Sequence, residues 1–148
     1  MKILLIIWGI FYMSQSCLSA QAPQMNVREF PQSEMKKQNT KLAALVAKEL
    51  NKTLPKKIDK YTTLLNIIAK NASLVYNFEI DGGSKSDKTI KKEDHVRMQR
   101  AVTRGICKTS YRFLTAGINI TYIYLSKKTK EPLFRFDITQ DSCPKNLN

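Results

Sequence analysis

The first twenty residues constrain this chain more than any others. Lys2 is followed by an unbroken apolar run over residues 3–13 and then by Ser14, Gln15 and Ser16, the layout of a secretory signal segment. The run is 11 residues long, whereas a helix crossing hydrocarbon needs about 20. The segment therefore predicts cleavage and export. A domain that folds outside the cytoplasm meets oxidising conditions, so its cysteines and its small size must be read in that light.

Two processing routes fit. Small residues suit the signal peptidase pocket, and a cut after Ala20 avoids placing Pro23 just past the scissile bond, as a cut after Ala22 would. In the other route Ser14-Gln15-Ser16-Cys17 acts as a lipobox, with Cys17 acylated at the mature N-terminus. Ser14 stands where such motifs usually carry Leu. The expected organisation is a signal peptide over 1–20, a flexible tether over 21–39 and one domain over 40–148. A mature chain of this size holds one domain and is too short for two.

Cleavage after Ala20 leaves two cysteines, Cys107 and Cys143, and an even pair in an exported chain predicts a disulfide. In the chain-entropy picture a loop of this length contributes about 3 to 4 kcal/mol. Two cysteines and the lone His95 are too few for a closed zinc site, so no metal is expected.

Residues 38–50 place Leu42, Leu45, Val46 and Leu50 at helical spacing, predicting an amphipathic helix that Pro55 ends. Residues 61–69 and 74–80 alternate and are rich in β-branched and aromatic side chains. With Lys70-Asn71 between them they predict an antiparallel hairpin. Residues 81–87 read as a flexible loop, and Lys92 at its twelfth position rules out a calcium loop. Residues 92–114 predict the longest helix, with Met98, Val102, Ile106 and Phe113 on one side and Val96, Cys107 and Leu114 beside them. Gly117 stops it. Residues 118–124 and 133–138 alternate again around a Lys-rich turn, predicting a second hairpin. The expected fold is α+β, ordered α-β-β-α-β-β, with a four-stranded antiparallel sheet, helices on one face and one disulfide.

The full chain carries a formal charge of +13, which favours anionic surfaces and polymers or an acidic protein. Arg97, Arg100, Arg104, Lys108 and Arg112 recur every three or four residues along the predicted long helix. The plain reading is a solvated helix face. The functional reading is a cationic rail for an anionic partner, carried by Arg97, Arg100, Arg104 and Lys108. Only Tyr111 lies beside the stripe, and an exported chain seldom meets nucleic acid, so no nucleic-acid partner is expected.

No catalytic motif emerges. On one helix His95 and Cys107 would sit roughly 18 Å apart, beyond the reach a nucleophile and its base require. Phosphate-loop, zinc-protease and nucleophile-elbow patterns are absent from the sequence. The expectation is a non-enzymatic protein without cofactor. Asn51-Lys-Thr, Asn71-Ala-Ser and Asn119-Ile-Thr match the glycan acceptor pattern as chance matches.

Leu54-Pro55, Tyr61-Thr62, the first hairpin, the helix carrying Cys107, the run Ala116-Gly117-Ile118-Asn119-Ile120-Thr121-Tyr122, the last strand and Cys143 together resemble the small disulfide-bonded pilotins of type II secretion systems. They also resemble a broader set of exported bacterial proteins. The resemblance spans roughly residues 42–143. It implies a periplasmic accessory protein that grips a short helix of an outer-membrane secretin, anchored at the outer membrane where Cys17 is lipidated. A second class also fits the composition: a basic secreted factor, of inhibitor or immunity type, that binds an anionic envelope polymer, a membrane surface or an acidic protein.

Overall fold

The computed structural model describes residues 31–144. The expected signal segment, Cys17 and the first part of the expected tether lie outside the described residues.

Helix α1 spans Gln32–Asn51, starting six residues before the predicted Gln38. Residues 32–39, expected in the tether, are helical instead. Their polar side chains carry no apolar period, but Gln, Glu, Lys and Met are strong helix formers. The Pro31 carbonyl accepts from the Glu34 and Met35 amides, and Asn39 Nδ2 donates to the Ala116 carbonyl at 2.6 Å. The contact face also differs from the expected one. Ala43 and Ala47 are buried, whereas Leu42 and Leu45 remain 42% and 57% exposed. Small alanines let the helix lie close to the sheet, so the larger leucines are left on its flanks.

After α1 the chain forms β1 (Lys56–Lys57), β2 (Thr62–Ala69), β3 (Ser73–Ile80), α2 (Asp87–Thr109), α3 (Tyr111–Thr115), β4 (Asn119–Ser126) and β5 (Pro132–Ile138). The strands make one sheet in the order β1-β2-β3-β4-β5. Both predicted hairpins form as antiparallel pairs, β2 with β3 and β4 with β5. The first turns at Asn71, whose φ is +54°, and the second at Lys130, at +62°.

The expected four-stranded antiparallel sheet is corrected in two respects. Strands β3 and β4 pair in parallel, Ser73 opposite Asn119 through Ile80 opposite Ser126. The sheet is therefore mixed. The α2–α3 segment carries the chain back to the starting end of the sheet, which is the crossover that a parallel pair requires. The fifth strand, β1, is only two lysines long and antiparallel to β2. Such a stub has no alternation to read. Beyond it the edge of β2 is closed by a side chain: Asn51 Nδ2 donates to the Ile67 carbonyl at 2.6 Å, and Asn51 Oδ1 accepts from the Ile67 amide at 2.9 Å.

The predicted single helix over residues 92–114 is two helices. Helix α2 begins at Asp87, because the Ser86 hydroxyl accepts from the Thr89 amide and caps it. It ends at Ser110, whose backbone leaves the helical region at φ −121°, before α3. Gly117, at φ +87°, closes α3 in a conformation that suits glycine.

Helix α1 rests on β2 and β3 and α2 on β5, both on the sheet face carrying Leu74, Phe78, Phe134 and Phe136. Two apolar clusters result. One joins Ala43, Ala47, Ile67, Leu74 and Ile118 beneath α1. The other joins Phe78, Ile90, Ile106, Leu114, Phe134 and Phe136 beneath α2. Val96, expected near this apolar side, is exposed. The predicted disulfide is present: Cys107 and Cys143 are bonded with their Cα atoms 5.5 Å apart, tying the end of α2 to the segment after β5.

Candidate functional site

The space between the two helices is the feature that sequence reasoning did not place. Leu64 and Tyr76 pack against both apolar clusters and still remain half-buried. They mark the seam at which the cluster beneath α1 meets the cluster beneath α2. Tyr122 continues it: this residue is opposite Tyr76 on the neighbouring strand, is also half-buried, and its ring centroid lies 5.0 Å from that of Tyr76 and 4.8 Å from that of Phe78. The floor is thus aromatic and aliphatic. Met98 and Val102, half-buried on α2, stand on one flanking helix, and Val46, half-buried on α1, stands on the other.

Burial raises the Tyr76 phenol above its ordinary range and pushes Tyr122 up to about 12, with Tyr76 adding a smaller part. Both stay neutral around neutral pH. Neither hydroxyl makes a hydrogen bond within the protein among the described residues, yet neither is a buried orphan. They reach solvent at the groove and are available to a partner. The arrangement offers apolar contact with a few hydroxyl donors and acceptors, which suits a segment of secondary structure better than a small polar substrate.

The residues singled out from sequence fall elsewhere. Arg97, Arg100, Arg104 and Lys108 are all exposed on α2, and Arg97 is bonded to Asp94 at 2.6 Å. Arg112, counted in the same stripe, lies on α3 beyond the break at Ser110, so the predicted rail is shorter than its spacing implied. His95 is exposed, with its ring centroid 5.9 Å from that of Phe134 and 5.5 Å from that of Phe136. Cys107 is held in the disulfide, so no thiol faces that imidazole.

Among the described residues, every carboxylate whose pKa departs from the ordinary has it lowered. Asp87 accepts from the Thr129 and Ser126 hydroxyls, Asp137 from Arg135 and Thr121, and Asp81 from Lys127. Each is held ionised by its partners, whereas a general acid needs a raised value. Among the described residues no group of three His, Cys, Asp or Glu side chains is placed to hold a metal ion. Two shallow hollows lie away from the groove. One of about 310 Å³ on the uncovered sheet face includes Lys70, Arg135 and Asp137, and one of about 380 Å³ by the start of α1 includes Met35 and Asn39.

The floor was half legible. Alternation places Leu74, Tyr76, Phe78 and Ile80 on one face. Which of them stays uncovered depends on where the helices land, and the alanine contact face of α1 concealed that.

No known family model matches the chain, and no curated protein matches it. Its fold is found in solved structures. A secreted protein from Pseudomonas aeruginosa superposes with a TM-score of 0.66 at 16% identity, covering 74% of this chain and 96% of that one. The type 2 secretion pilotin EpsS from Vibrio vulnificus gives 0.63 at 14% identity, covering 76% and 97%. The type II secretion pilotin AspS from Vibrio cholerae gives 0.58 at 18% identity, covering 76% and 98%. The chain thus shares the pilotin-type fold over nearly the whole of each neighbour, and the likeness expected from its sequence holds at that level.

Proposed function

We propose that this chain is a non-enzymatic, exported envelope protein that grips a peptide or short helix of a secretion component, as a pilotin does. The observation that carries this reading is the half-buried aromatic floor between α1 and α2, in a fold shared with two type II secretion pilotins. Apolar grooves flanked by helices bind amphipathic segments by burying the apolar stripe of the guest. The partner in this reading is a segment of an outer-membrane secretin. The place of action is the periplasm, at the outer membrane where Cys17 is acylated.

Isothermal titration of the protein with peptides from the secretin of the same organism tests it. Saturable binding that changes little with salt is expected, because the groove is apolar. Leu64→Asp should weaken binding at least about tenfold, since it sets an unpaired carboxylate against the guest. Steep salt dependence, with binding lost in a protein carrying Arg97→Ala, Arg100→Ala and Arg104→Ala, would refute the groove and move recognition to the basic stripe.

A further inference from the structure

A second surface, remote from the groove in character, lies at the end of the sheet where the β1–β2 turn meets the β3–α2 loop. In that turn Ile58 is 52% and Tyr61 56% exposed, although both are large and apolar. The turn is not loose. The Ile58 amide donates to the Thr62 carbonyl at 2.9 Å and the Asp81 amide to the Tyr61 carbonyl at 2.8 Å. The Asp59 carboxylate accepts from the Tyr61 and Thr62 amides at 2.7 and 2.8 Å, so the one acidic side chain of the turn is engaged by its own backbone.

Three lysines surround this apolar pair. Lys56 lies opposite Leu64 and Lys57 opposite Thr63, and cross-strand partners share a face. The two therefore flank the turn on opposite faces of the sheet. Lys60 Nζ sits 5.3 Å from the Tyr61 ring centroid. Neighbouring lysines are occupied: Lys127 holds Asp81, Lys85 holds Glu93 and Lys130 holds Glu79. Among the described residues Lys56, Lys57 and Lys60 hold no carboxylate. The turn lines neither hollow; it offers side chains outward where a groove would receive them.

We propose that residues 56–61 form a docking turn for the surface of an anionic phospholipid bilayer, seating Ile58 and Tyr61 among the headgroups while Lys56, Lys57 and Lys60 meet lipid phosphates. An aromatic ring with a polar tip and an aliphatic neighbour suit the interfacial layer. Lysines at its border supply the charge attraction and extend their stems along it. The proposal does not depend on what the groove binds.

Co-sedimentation of the exported chain with vesicles tests it. A Cys17→Ala background keeps any acyl group from contributing. Vesicles of phosphatidylglycerol mixed with phosphatidylcholine should bind the protein at low salt, and vesicles of phosphatidylcholine alone should not. Ile58→Ser combined with Tyr61→Ser should lower the partition coefficient about tenfold with only a small change in thermal midpoint, since about half of each residue is already in water. Lys56→Gln, Lys57→Gln and Lys60→Gln together should remove the salt-dependent part of binding. Equal binding to both vesicle types, no binding to the anionic ones, or unchanged binding in either variant would overturn the proposal. Loss of binding on replacing Arg97, Arg100 and Arg104 while the turn is intact would overturn it as well.

Discussion

Asn51 does with its side chain what a strand residue does with its backbone. Its carboxamide gives one hydrogen bond to Ile67 and takes one from it, at 2.6 and 2.9 Å, where β1 is too short to reach. Asn51→Ala removes both and leaves an amide and a carbonyl of a part-buried edge without partners. Each such orphan costs about 1 to 3 kcal/mol, and partial access to water at an edge brings the pair to about 2 kcal/mol in total. For a domain of this size that lowers the thermal midpoint by about 6 to 10 °C. Asn51→Asp is the sharper test, because it keeps the shape and the acceptor but turns the donor into a second acceptor facing the Ile67 carbonyl. At neutral pH this variant should be less stable than Asn51→Ala. On acidification its carboxyl regains a hydrogen to donate, so the folded state favours the protonated form and the folded pKa lies above the unfolded value of about 3.9. The stabilisation is therefore fully present below that unfolded value and is lost as pH rises through the raised folded one. Urea unfolding of the three proteins between about pH 3 and pH 8 should show the Asn51→Asp deficit narrowing steadily toward acid. A deficit independent of pH, or an Asn51→Ala protein as stable as the parent, would refute the reasoning.

Replacing Cys107 and Cys143 together by Ser frees a loop with a sequence separation of 36 and should cost about 4 kcal/mol in the chain-entropy model, read as a lower urea midpoint; an unchanged midpoint would show that the bridge constrains nothing. Gly117→Ala forces a side chain onto a backbone at φ +87° and should destabilise by about 1 kcal/mol or more in the same assay. Asp87 and Asp137 have depressed pKa values, the first held by the Thr129 and Ser126 hydroxyls and the second mainly by Arg135. Their contribution is present above the unfolded carboxylate pKa of about 4 and lost as pH falls through the folded value, so Asp87→Asn should flatten the acid limb of the stability curve.

Both hairpins were legible because alternation and turn residues are local signals, as in Leu74, Tyr76 and Phe78 or at Asn71. Gly117 as a helix stop, and the pairing of Cys107 with Cys143, were legible for the same reason: each follows from residue chemistry and compartment. Parallel pairing of β3 with β4 was not, since it depends on where the crossover helix sets the chain down and no single segment encodes that. The start of α2 was hidden in a loop whose Gly and Ser residues outweighed the cap at Ser86. The groove was hidden by Ala43 and Ala47, which carry little weight in an apolar pattern yet decide how closely α1 approaches the sheet. The basic stripe was easy to read, and Arg97, Arg100, Arg104 and Lys108 do lie exposed along α2, with Arg97 paired to Asp94.

The parallel pairing at the centre of the sheet fixes an order of assembly. Each hairpin closes over a few residues and can form early, but β3 and β4 meet only after the whole intervening helical segment has been threaded back, a long closure that sets the slow step. Cys143 follows the second hairpin and Cys107 sits within that returning segment, so the bridge fastens the crossover helix to the tail of the β4–β5 hairpin without involving β3. Oxidation therefore holds the returning helix and the second hairpin as one unit, onto which the first hairpin can dock along β4.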